Sequence, residues 1–65
     1  MRLDVGKTRL EMARKCISVA WLTNSARMPR PTINKALSGH SVRPETAGRI
    51  AKALGVDVTE ILQND

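Results

Sequence analysis

Apolar residues recur along this chain at helical spacing, in short bursts separated by turn residues. The first burst follows Asp4, a good N-cap, and predicts a helix over about 5–15. On it Leu10, Ala13 and Ile17 fall on one side with Met12 nearby, leaving Lys7, Arg9, Glu11, Arg14 and Lys15 for solvent. Ser18 caps the next segment, about 19–25, with Val19, Leu22 and Ala26 as its stripe. The chain then turns through Ala26–Pro29 into a third helix over about 30–38. Pro31 is tolerated in its first turn, and Gly39 supplies the left-handed residue that stops it. Ile33, Ala36 and Leu37 give this helix an apolar face, while Arg30, Asn34, Lys35 and Ser38 stay outside.

After a polar loop, His40 to Arg43, a fourth helix is predicted over about 44–54. Pro44 takes its first position, Glu45 complements its dipole, and Gly55 ends it. Its core stripe is Ala47, Ile50, Ala51 and Leu54. A last short helix is expected over about 59–63, capped by Asp57 or Thr59. Met1 to Asp4 reads as a short, extended lead. The pattern holds no strand of normal length, no repeat and no linker, so the expected fold class is all-α: five short helices in one domain, residues 1–65.

Composition narrows the function. A chain of 65 residues buries only roughly 60% of its unfolded surface, so stability is marginal without good helix packing or dimerisation. One cysteine, Cys16, excludes an intrachain disulfide, and one histidine, His40, leaves no Cys/His set with zinc spacing. Both points fit a reducing, cytoplasmic setting. No apolar run approaches a membrane span, and neither a leader nor a membrane partner is expected. Paired carboxylates, a nucleophile–base set and a phosphate loop are all lacking, so no catalytic residue, cofactor or small-molecule ligand is expected.

Charge adds more. The net charge is +5, yet no acid lies between Glu11 and Glu45, where Arg14, Lys15, Arg27, Arg30, Lys35 and Arg43 all fall. The remaining acids cluster at the ends. Such a basic middle suits a polyanion.

The order of elements, the segment ARMPRPTINKALSG and the stretch RIAKALGVDVTEIL together resemble the Cro and phage-repressor type of helix-turn-helix domain, the XRE family. The resemblance spans about Leu10 to Leu62. It implies a lambda-repressor-like fold whose third helix enters the major groove of double-stranded DNA while the second crosses the backbone. It further implies a transcriptional regulator, repressor-like and of phage or mobile-element character. Arg30, Thr32, Asn34 and Lys35 would then reach bases, with Arg30 able to grip guanine bidentately. Arg27, His40, Ser41 and Arg43 would meet phosphates. Relatives usually carry Ala and Gly where this chain has Thr23 and Arg27, and often a base-reading Gln at Pro31. Met12 and Leu37 stand where many relatives bury an Arg–Glu pair, a swap that costs little stability.

Val56, Val58, Ile61 and Leu62 are too many large aliphatics for so short an end. Part of the set must close the core, and the remainder is the candidate two-fold homodimer contact. Trp21, the single aromatic residue, either covers the core from the side or anchors a partner. Cys16 is expected as a small buried or half-buried hydrophobe. The alternative function is a protein-interaction module of the same fold, antitoxin-like or adaptor, with little specific DNA binding.

Overall fold

The computed structural model describes residues 1–63. Four α-helices follow one another: α1 (Val5–Arg14), α2 (Val19–Ala26), α3 (Arg30–Leu37) and α4 (Pro44–Leu54). The described residues are thus all-helical apart from a single antiparallel bridge. Boundaries agree with the expected ones to within a residue, and α4 agrees at both ends.

The fifth helix is the exception. In place of a helix over 59–63 there is one 3-10 turn, Val58–Glu60. Asp57 caps it, accepting from the Thr59 N–H at 2.9 Å, and Glu60 reaches back to the Asp57 N–H at 3.0 Å. This reciprocal cap closes one turn and no more. Beyond it Ile61 drops into the core and Leu62 pairs with Leu3. The Asp4 N–H donates to the Ile61 carbonyl at 2.7 Å and the Gln63 N–H to the Arg2 carbonyl at 3.0 Å. Extended pairing with the chain's lead therefore outcompetes a further helical turn.

All four helices end in the same way. An N–H two or three residues beyond the helix bonds to a carbonyl five residues back: Ile17 to Met12, Met28 to Thr23, His40 to Lys35, and Val56 to Ala51. Each such Schellman motif needs one left-handed residue. Gly39 (φ 85°) and Gly55 (φ 72°) provide it without strain, whereas α1 and α2 use Cys16 (φ 54°) and Arg27 (φ 56°). Side chains in that region cost roughly 1–2 kcal/mol each.

The core is built from Leu3, Met12, Leu22, Ala26, Met28, Ile33, Ala36, Leu37, Ala47, Ile50, Ala51, Leu54 and Ile61. The stripes expected for α3 and α4 are buried in full. That of α1 is not. Leu10 is 51% exposed and Ala13 also faces out, while Thr8 and Met12 point inward. Thr8 is fully buried because its hydroxyl donates to the Asp4 carbonyl at 2.8 Å, so no polar atom is orphaned. Met12 and Leu37 are both buried. Lys15 ties α1 to α4 by donating from Nζ to the Leu54 carbonyl, and Glu11 sits between Arg14 (3.5 Å) and Lys15 (3.8 Å). The whole measures 29 × 23 × 17 Å.

Candidate nucleic-acid interface

The site is assembled around α3. Pro29 precedes it without a side-chain cap, and Pro31 occupies its first turn. Neither proline removes a hydrogen bond that the helix could have made there. Ile33, Ala36 and Leu37 are at most 3% exposed and fasten one side of α3 to the core. At 3.6 residues per turn the opposite side carries Pro31, Lys35 and Ser38, with Arg30 and Asn34 on one flank and Thr32 on the other. All of these are exposed except Thr32, which is half-buried. Pro31 and Ser38, which hydropathy places outside but gives no chemistry, share the outermost line with Lys35.

Thr32 and Lys35 face a groove of about 470 Å³ whose other walls are Ser41, Val42, Arg43 and Thr46. Four of the residues singled out by sequence therefore converge: Thr32, Lys35, Ser41 and Arg43. The loop holding the last two is fixed by the chain's lead. Val42 donates its N–H to the Met1 carbonyl at 2.7 Å and accepts from the Met1 amine at 3.2 Å. His40 is exposed, and its N–H belongs to the α3 stop. No side-chain partner holds Arg30, Lys35 or Arg43 among the described residues, where Glu11 alone makes ion pairs. Their cationic groups remain open to solvent.

Arg27 lies apart from that groove. It faces a cleft of about 500 Å³ between α2 and α4, together with Arg49 and Lys52. Arg49 and Lys52 lie exposed on α4, outside its core stripe, and their approach to Arg27 depends on how α2 packs across α4.

The other expected residues divide. Ile61 is fully buried and belongs to the core, so it has no surface to offer a second subunit. Val56, Val58 and Leu62 are half-buried against the core and keep part of their surface. Cys16 is exposed, contrary to expectation, at the left-handed residue that ends α1. Trp21 is 48% exposed and does not close the core; its indole borders a groove shared with Ile17, Ala53 and Leu54. No helix among the described residues is long and apolar enough to cross a membrane. Asp57 is the titratable group with a resolved shift: the Thr59 hydroxyl at 2.7 Å, then the Thr59 N–H, hold its carboxylate below the ordinary aspartate value.

Compared with family models, with curated proteins and with solved structures, the chain matches none of them.

Proposed function

We propose that this protein is a sequence-specific, double-stranded-DNA-binding transcriptional regulator of the Cro and phage-repressor type. In this proposal α2 and α3 form the helix-turn-helix, and α3 enters the major groove as part of a lambda-repressor-like fold. The observation that carries it is the two-sidedness of α3: Ile33, Ala36 and Leu37 are buried, while Arg30, Asn34 and Lys35 are exposed and make no ion pair among the described residues. A helix of eight residues is too short to stand alone, so packing presents those side chains to whatever they bind. Arg30 is assigned to base edges with Asn34, Lys35 and Thr32; Ser41 and Arg43 are assigned to phosphates, with His40 beside them. The protein acts by occupying its operator, in the cytoplasm and without catalysis. A two-fold homodimer through Val56, Val58 and Leu62 would set two α3 helices about one DNA turn apart.

Selection of bound sites from random duplex DNA tests the proposal. Enrichment of one roughly palindromic sequence is expected; recovery of an unbiased pool at low salt would sink it.

One observation favours a second function. Trp21 stands half-exposed beside a groove of mixed lining that includes Ile17, Ala53 and Leu54 with Lys15 and Ser18, as an anchor for a protein partner would. A co-purifying protein that protects Trp21 from quenching, with no salt-sensitive DNA binding, would favour an interaction module instead.

A further inference from the structure

Arg27, Arg49 and Lys52 come from two separate elements, the end of α2 and the solvent face of α4, yet all three are exposed and line one cleft with Ser25, Ala26 and Ala53. None of the three makes an ion pair among the described residues. Glu45 stands one turn before Arg49 at the spacing that suits an ion pair, and it is exposed and unengaged with it. Asp57 and Glu60 are occupied in their own cap. Among the described residues, three like charges thus share a cleft without a compensating carboxylate, an arrangement that favours an incoming anion.

The dipole of α4 accounts for Lys52, which sits in its last turn. It does not account for Arg49 or Arg27. Arg27 also holds a left-handed position where glycine would relax the backbone, so its side chain is placed there at a cost in strain.

We infer that the α2–α4 cleft is a second docking surface for the phosphate backbone of a nucleic acid. Along the chain it is separated from α3 only by Met28 and Pro29. The inference relies on the proposed DNA-binding function only for the choice of polyanion. Guanidinium groups recognise phosphate oxygens in pairs, and the cleft offers two guanidinium groups and an ammonium. It has no groove-entering helix of its own, so it contributes affinity and positioning rather than base preference.

The test compares wild type with R49Q/K52Q and with K7Q/R9Q, which removes the same charge from exposed positions on α1. Binding to the selected duplex and to a random duplex of equal length is measured across a series of KCl concentrations. Each lost phosphate contact lowers the slope of log affinity against log salt by about 0.9. For R49Q/K52Q a reduction of about 2 is expected on both duplexes, with the ratio between them unchanged and a smaller change in K7Q/R9Q. An unaltered slope, or an equal loss in the α1 variant, overturns the inference. If wild type shows no sequence preference but R49Q/K52Q still lowers the slope, the cleft stands and base reading by α3 falls. Absence of binding to any duplex at low salt overturns both.

Discussion

Met1 and Val42 exchange two backbone hydrogen bonds, which pins the loop carrying Ser41 and Arg43 to the lead of the chain. Two residues on, Leu3 pairs with Leu62 and is only 2% exposed. The lead is therefore a clasp between the loop after α3 and the segment after the 3-10 turn. The groove that Thr32 and Lys35 face owes one wall to it.

Leu3→Ala should accordingly cost about 2–5 kcal/mol, the usual range for emptying a buried leucine site. A domain of this size has little more than that to lose. Leu3→Met keeps the volume and should cost under about 1.5 kcal/mol. Urea unfolding measures both, and equal midpoints for L3A and wild type would show that the clasp does not support the fold.

Two helix stops use a strained residue, so each can be relaxed. Cys16→Gly and Arg27→Gly should each raise stability by about 1 kcal/mol, the strain relieved less the entropy glycine adds to the unfolded chain. In a small domain that is a rise in Tm of about 4–8 °C. C16G should leave DNA binding as it was, whereas R27G should lower the salt slope. Unchanged melting in both variants would mean that the left-handed residues carry no strain.

Arg30→Ala should reduce affinity for the selected sequence by about five- to 150-fold, the equivalent of 1–3 kcal/mol for a good base contact, and affinity for random duplex far less. Fluorescence anisotropy on both duplexes distinguishes the cases. An equal loss on both would make Arg30 a phosphate contact.

Asp57 predicts an acid dependence of known sign. Its folded-state pKa is held below the ordinary value, so its cap stabilises fully above the ordinary carboxylate range. That contribution disappears as pH falls through the lowered value. Asp57→Asn keeps an acceptor but cannot titrate. Unfolding free energies of wild type and D57N should lie apart near neutral pH and converge in acid; a constant gap would contradict the cap.

The sequence made α4 fully legible. Ala47, Ile50, Ala51 and Leu54 have one periodicity and no rival, and proline and glycine mark both ends. On α1 the expected side is Leu10, Ala13 and Ile17 with Met12 nearby; the structure buries Met12 with Thr8, leaves Leu10 and Ala13 out, and packs Ile17, beyond the helix, against the core. Hydropathy favours the expected side, but a threonine hydroxyl can bond the carbonyl four residues back and enter the core with its polarity satisfied. Similar logic hid the end of the chain. Nothing local distinguishes a fifth helix from a capped turn, because the deciding partner, Leu3, lies 59 positions away from Leu62. The exposed side of α3 follows from periodicity alone. The cleft of Arg27, Arg49 and Lys52 does not, since it depends on which turns of α2 and α4 lie across from one another.

The Leu3–Leu62 pairing also makes the backbone's path nearly circular. A few flexible residues joining Gln63 to Met1 would seal it, and new ends could be opened in the Lys15–Ser18 connection without breaking the bridge. Such a permuted protein would keep the clasp while covalently locking the two segments that form it.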